Sequence, residues 1–337
     1  MKTRVMIIGK HWGEAEQKLG LPFAGATGGL LNSFLSSAGV AKQDCYFTNV
    51  FNFRPPGGNF SNILVGREAR IEGWGPVARA KYVPGKYAFE LSRLRKEIEL
   101  CEPNIIIALG PIATWALCND IAIKKLRGSP IHSTRLVPGI KVFPTYHPST
   151  IFAQYNLRPI VFNDFKKAAR EMQFPEIRRP KRAMWLHPTL YDIKQFDPLI
   201  RRAKYLSVDI ETWQGQITCI GFAPDETRAI VIPFVWHGHP SGNYWPTLEE
   251  ELKVWDIVAE WLDLPQPKIG QNFLYDISYL WAKYGIPVRN AIRDTMLTHH
   301  AQQPEMEKSL GFLGSIYTSE PSWKFMRKDI KTLKTED

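Results

Sequence analysis

Four short apolar runs constrain this chain most. They are Val5–Ile8, Tyr46–Asn49, Ile105–Ala108 and Lys141–Phe143. Each is too short for a helix and is followed by a polar or glycine-containing cluster, such as Gly9–Gly13 after the first and PTYHPS after the last. Between them lie stretches with helical spacing: Gly29–Ala38, and Tyr87–Glu99 with its leucines and isoleucine. Continuous apolar strands that alternate with helices specify a parallel sheet covered on both faces. In such a sheet, functional groups gather at the carboxyl ends of the strands. Phe165–Met172 reads as the helix that closes this half.

Asn59–Pro84 is a long connection with glycine and arginine. Its length suits a functional or docking loop, or a solvated insertion. Phe174–Arg182 (FPEIRRPKR) is a basic, proline-containing stretch, either a linker or the first edge strand of a second domain. At 337 residues the chain fits two domains of about 150 residues each. The expected division is 1–172, a linker or first-strand region at 173–200, and 201–337.

The net charge of +10 favours a polyanionic partner, with nucleic acid the commonest. Cys45, Cys101, Cys118 and Cys219 lack C-x-x-C spacing, which argues against a zinc ribbon and for small buried thiols in a reducing compartment. The apolar run after Met1 is too short for a signal peptide, and no stretch approaches the roughly 18 apolar residues of a membrane span. A cytoplasmic location, in a bacterium or a phage-infected host, is expected.

The second half opens on a strand, Tyr205–Ile210. Gln216–Phe222 and Arg228–Pro233 continue it as an antiparallel meander, and helices follow at Thr247–Leu262 and Asp276–Tyr284. In LSVDIET, Leu206–Thr212, the acids Asp209 and Glu211 stand two apart on a strand and leave it on one face. Paired carboxylates suit a hard divalent cation; they also suit a solvated face. Asp276, in IGQNFLYDISYL, opens a helix and could be an N-cap.

Taken together, LSVDIET, IGQNFLYDISYL and the stretch RDTMLTHH…SLGFLGSIYT resemble the DEDD-type 3′–5′ exonuclease domain of family A DNA polymerases. The resemblance implies an RNase H-like mixed-sheet fold. It implies magnesium or manganese held by Asp209, Glu211 and Asp276, the last following Asn272. The family's fourth acid lies well downstream. Phe325–Asp329 has a similar spacing but lies close to Thr318, and Glu336 and Asp337 are terminal.

The first half resembles the uracil-DNA glycosylase superfamily, most closely the iron–sulfur type. The residues that carry this are GKHWGEAEQKLGLPFAGATGGLL (Gly9–Leu31), FTNVFNFRPP (Phe47–Pro56), IIIALG (Ile105–Gly110) and VFPTYHPS (Val142–Ser149). The resemblance implies a three-layer α/β/α fold that holds a base flipped out of the stack. It implies that Phe23 stacks on the base, that Asn49 reads its Watson–Crick edge, and that His147 stands near its carbonyl. Gly9 and Gly13 would let the backbone approach base and phosphate. Lys10 and His11 stand where the family pattern has a glutamate and then a variable residue. Glu16 keeps a later acid, while Trp12 and Gln17 depart from the pattern. Phe89 or Glu90 occupies the place of one cluster cysteine, so no iron–sulfur cluster is expected.

The resemblances imply a phage-type replication or repair protein that acts on single-stranded DNA or 3′ ends beside a separate polymerase. A DNA-binding accessory with both sites degenerate is the alternative.

Overall fold

The structure, a computed structural model, describes residues 4–236, 238 and 240–321. The chain divides into two compact units, residues 1–179 with 311–337, and residues 180–310.

The first unit contains β1 (Val5–His11), α1 (Glu14–Leu19), α2 (Ala26–Ser37), β2 (Cys45–Phe51) and α3 (Ala88–Cys101). It continues through β3 (Ile105–Leu109), α4 (Gly110–Cys118), α5 (Ile123–Leu126), β4 (Ile131–His132), β5 (Lys141–Thr145), α6 (Thr150–Ala153) and α7 (Arg158–Glu171). The strand order is β2-β1-β3-β5-β4. Only the short edge strand β4 runs antiparallel.

Alternation along β3 builds two apolar layers. Ile106 and Ala108 face one layer, with Leu91, Leu94 and Ile98 of α3 and Trp115 of α4. Ile105, Ile107 and Leu109 face the other, with Phe34 of α2 and Val161 and Phe165 of α7. This is a three-layer α/β/α sandwich.

Three local features differ from the sequence reading. β1 runs to His11, past the expected stop at Ile8, because its parallel pairing with β2 continues through Gly9↔Asn49 and His11↔Phe51. Lys10 and His11 therefore sit on the strand end, not in a turn. The connection at residues 59–84 is not a solvated insertion. Phe60, Ile63, Ile71, Val77 and Val83 are buried in the core, pinned by bridges such as Val65↔Tyr82. Finally, residues 311–321 pack within the first unit, where Lys167 Nζ donates to the Ser315 carbonyl at 2.9 Å and Arg127 donates to Ser315 Oγ at 2.7 Å.

The second unit contains β6 (Ala183–Trp185), α8 (Leu190–Arg202), β7 (Leu206–Trp213), β8 (Gln216–Ala223), β9 (Arg228–Pro233) and α9 (Leu248–Asp263). There follow β10 (Lys268–Gly270), α10 (Leu274–Tyr284), β11 (Ala291–Asp294), α11 (Thr295–Gln302) and α12 (Leu310–Tyr317), which ends in the first unit's segment. Its sheet order is β11-β10-β7-β8-β9-β6. β7, β8 and β9 form the antiparallel meander, while β10 and β11 add parallel to β7. This is a mixed, RNase H-like sheet. The edge strand is Ala183–Trp185, just past the basic stretch, and it pairs parallel with β9. Thr247 caps α9, its Oγ accepting from Glu250 N–H at 3.2 Å.

Candidate functional site

In the first unit a cleft of about 530 Å³ opens at the carboxyl ends of β1, β2, β3 and β5. Lys10, His11, Gly13, Glu16, Phe23, Asn49 and His147 all line it. These come from four separate strand ends and turns, so the parallel sheet gathers them.

Gly9 lies beneath this group. A Cβ there would stand 2.3 Å from Asn49 Oδ1 and 2.7 Å from the Phe23 ring, so only glycine fits. Phe23 is a non-glycine residue at φ +55, a left-handed conformation that stores strain. Its carbonyl sits where a Cβ on Gly28 would come within 1.7 Å, so Gly28 makes room for that turn. The Phe23 ring lies 5.9 Å from Phe47, edge on, and 6.5 Å from His147, near parallel.

Asn49 is buried, and its side-chain amide makes no hydrogen bond among the described residues. Its backbone is held from behind. Arg93 of α3 donates to the Asn49 carbonyl at 2.7 Å, to Val50 O at 3.2 Å and to Thr48 Oγ1 at 3.2 Å. Glu90 pairs with Arg93 at 2.8 Å and accepts from Asn52 N–H. A charged clamp thus fixes the end of β2.

His147 Nδ1 accepts the Ser149 N–H at 3.3 Å and lies 2.7 Å from Ser149 Oγ. The proton therefore resides on Nε2 in the neutral ring. Burial, with the charges of Lys10 and His11, pushes its pKa down to about 4. His147 is thus a neutral N–H donor at pH 7. Gly110, at φ +83, lets the β3 turn approach His147 Cβ.

Lys10 is half-buried, and burial lowers its pKa. Its ammonium lies 5.5 Å from the Phe60 ring centroid. His11 stacks on the same ring at 5.7 Å. Its Nδ1 lies 2.8 Å from the Trp12 carbonyl, while Nε2 is buried without a partner. Burial lowers the His11 pKa; the Trp12 carbonyl opposes this, and the charge of Lys10 adds to it. Glu16 is occupied structurally: its oxygens accept Gly13 N–H at 3.0 Å and Gly25 N–H at 3.3 Å, tying the two turns that flank α1. Phe60, from the long connection, and Arg93 were not singled out in the sequence. Nothing local marks either, because both act through contacts distant in the chain.

In the second unit, Asp209 and Glu211 project from the exposed face of β7 while Val208 and Ile210 face the core. Asp276 is not an N-cap. Phe273 holds that position, and Asp276 is the third helical residue, its Oδ1 accepting Ile210 N–H at 2.9 Å across to β7. Burial, with the nearby charge of Asp209, pushes its pKa up to about 6. Asp294 caps α11, and its carboxylate also accepts Asn272 and Phe273 N–H.

These carboxylates have the chemistry of a hard-cation site, and the crowding at Asp276 is what a cation would relieve. Among the described residues, however, no three His, Cys, Asp or Glu side chains are gathered closely enough to hold an ion. The other acids considered for the fourth position, in Phe325–Asp329 and at Glu336 and Asp337, lie outside the described residues. Among the described residues no helix is long and apolar enough to cross a membrane.

Comparison with known proteins gives two separate likenesses. Over 172 residues the chain is 32% identical to the type-4 uracil-DNA glycosylase of Thermotoga maritima, covering 50% of this chain and 77% of that protein. It is 29% identical to the Archaeoglobus fulgidus type-4 uracil-DNA glycosylase, over 49% and 75% respectively. A DNA polymerase of Bacillus phage SP01 is 23% identical over 333 residues; the match takes in 88% of this chain but only 32% of the polymerase. Among solved structures, the EXD2 exonuclease domain soaked in Mg aligns with 36% of this chain and 59% of that one, at 18% identity and a TM-score of 0.26. The family model of the uracil DNA glycosylase superfamily matches residues 1–173, the part that builds the cleft, and the chain belongs to that superfamily.

Proposed function

We propose that the first unit removes uracil, or a closely related pyrimidine, from DNA. The observation that carries this is the convergence of Phe23, Asn49 and His147 in one cleft. The Phe23 ring offers a stacking face, and the Asn49 amide offers a donor and an acceptor to a pyrimidine edge. The neutral His147 Nε2–H is suited to donate to the base oxygen on which negative charge grows as the glycosidic bond breaks. Lys10 adds positive charge to the same cleft and favours an anionic leaving base.

For the second unit we propose a 3′–5′ exonuclease-type role on DNA ends. The support is the mixed sheet with Asp209 and Glu211 on one face and Asp276 beside it. Asp209, Glu211 and Asp276 would hold magnesium or manganese, which would supply an activated water and charge neutralisation at phosphate. Asp276 fixes the start of α10 against β7. The lack of a gathered trio of acids among the described residues favours a second reading, in which this unit grips DNA ends without cutting. The likeness to a phage DNA polymerase supports action during DNA replication.

One assay separates these. The protein is incubated with magnesium or manganese and 5′-labelled single strands, with and without uracil. Alkali-labile sites at uracil that vanish on Asn49→Ala establish base excision. Laddering that vanishes on Asp209→Ala establishes the exonuclease. DNA binding with neither signal leaves the accessory reading.

A further inference from the structure

We propose that Lys10 is a nucleophile toward abasic deoxyribose, giving the first unit a strand-cleaving lyase activity beyond base removal. The inference rests on the cleft being the base-binding site.

Lys10 lies on β1 between Gly9, packed under Asn49 and Phe23, and His11. It lines the same cleft as Asn49 and His147. Among the described residues its ammonium has no ion pair and no hydrogen bond, and it lies 5.5 Å from the centroid of the apolar Phe60 ring. A lysine kept for structure usually has a carboxylate or carbonyl partner. Lys141 in this unit has four such contacts, to Glu171 Oε2 and the carbonyls of Glu171, Phe174 and Glu176. An unpaired, desolvated amine is what imine chemistry requires, because only the neutral form attacks carbon. The depressed pKa of Lys10 agrees with this. The carbon it would attack, C1′, is one bond from the base, so a nucleophile lining the base cleft is within reach.

A proton acceptor stands next to it. With Nδ1–H directed at the Trp12 carbonyl, His11 presents the bare Nε2 lone pair, buried and unpartnered. The charged and titratable groups around this position are Lys10, Glu16, Arg54 and His147. Glu16 is already committed to two backbone N–H groups.

The step balances without any added reagent. The Lys10 amine adds to the C1′ aldehyde of the ring-opened sugar, and loss of water with uptake of one proton from solvent, returned at the final hydrolysis, gives the protonated imine. Removal of a C2′ proton, with His11 Nε2 as acceptor, sends the electron pair toward C3′ and expels the 3′ phosphate. Water then releases the unsaturated aldehyde and restores the amine.

The test uses the full chain and DNA with an abasic site prepared beforehand, so base excision is not needed. Sodium cyanoborohydride reduces an imine to a stable protein–DNA adduct. The expected result is an adduct whose peptide maps to Lys10, with strand cleavage that needs no alkali. Lys10→Ala and Lys10→Arg should both lose it. The thermal midpoint of Lys10→Arg, at the wild-type value, shows that this variant is folded. No adduct above the Lys10→Ala level, or an adduct mapped to another residue, overturns the proposal. A uracil-excision assay run in parallel reports on the base-binding reading separately.

Discussion

Gly9 and Asn49 are paired across β1 and β2, and a Cβ on Gly9 would lie 2.3 Å from Asn49 Oδ1. The Asn49 side-chain amide is therefore placed by the absence of a side chain opposite it. Gly9→Ala forces Asn49, Phe23 or both to shift. A displacement of about 1 Å at such a site lowers turnover on the order of 100-fold. Single-turnover excision on uracil-containing strands should show that loss, while the thermal midpoint moves far less. Wild-type excision by Gly9→Ala would refute the placement.

The neutral state of His147 has a pH signature. Its folded pKa is about 4 against an ordinary 6.5, so between these values the unfolded chain binds the extra proton. Stability is full above about pH 6.5 and falls as pH drops through that window, by on the order of 3 kcal/mol in all. Thermal midpoints measured from pH 7.5 to 4.5 should show the fall, and His147→Asn should flatten it. An NMR titration of His147 with a midpoint near 6.5 would contradict the assignment. In the proposed base excision, His147→Ala would remove the Nε2–H donor from the cleft and should lower the single-turnover rate by about 100- to 1,000-fold.

Much of this was legible because the relevant signals are local. The apolar runs marked the strands, and the residues after them marked the cleft. The end of β1 was misjudged since Gly9 reads as a turn residue, whereas its role is close packing beneath Asn49. The position of Asp276 was ambiguous because a helix-opening acid suits a cap equally well; the deciding partner, Ile210 N–H, is 66 residues away. Ser315 meets Arg127 across 188 residues, and no pattern within either segment encodes that contact.

Asp276 carries a charge at neutral pH that its surroundings resist. Its folded pKa of about 6 exceeds the ordinary 3.8, so between these values the folded state holds the extra proton. Stability is therefore greatest below about pH 3.8 for this group and declines as pH rises through 6, by on the order of 3 kcal/mol. Asp276→Asn keeps an acceptor for Ile210 N–H and drops the charge. It should raise the thermal midpoint at pH 7.5 and leave it little changed at pH 4. If Asp209 and Asp276 share a divalent ion, millimolar magnesium or manganese should raise the wild-type midpoint and leave Asp276→Asn unmoved. Equal shifts in both proteins would remove the metal from this site.

The segment at residues 311–321 is held by a buried polar network in the first unit. Asp164 is fully buried, paired with Arg127 and accepting from Thr145 Oγ1 at 2.7 Å. Arg127 in turn donates to Ser315 Oγ, and Lys167 donates to the carbonyls of Gly128, Ser315 and Thr318. Burial pulls the Lys167 pKa down to about 8, and the charge of Asp164 opposes this. Asp164→Ala leaves the Arg127 guanidinium buried without its counter-charge, a loss of about 3–5 kcal/mol. Replacing both as Arg127→Met with Asp164→Leu should recover part of this, since no charge is then stranded. Hydrogen exchange at Ser315–Thr318 should accelerate in Asp164→Ala well before β3 does, because the segment is held mainly through these polar contacts, whereas β3 is buried throughout. Equal acceleration at both places would mean that the ion pair supports the sheet rather than the segment.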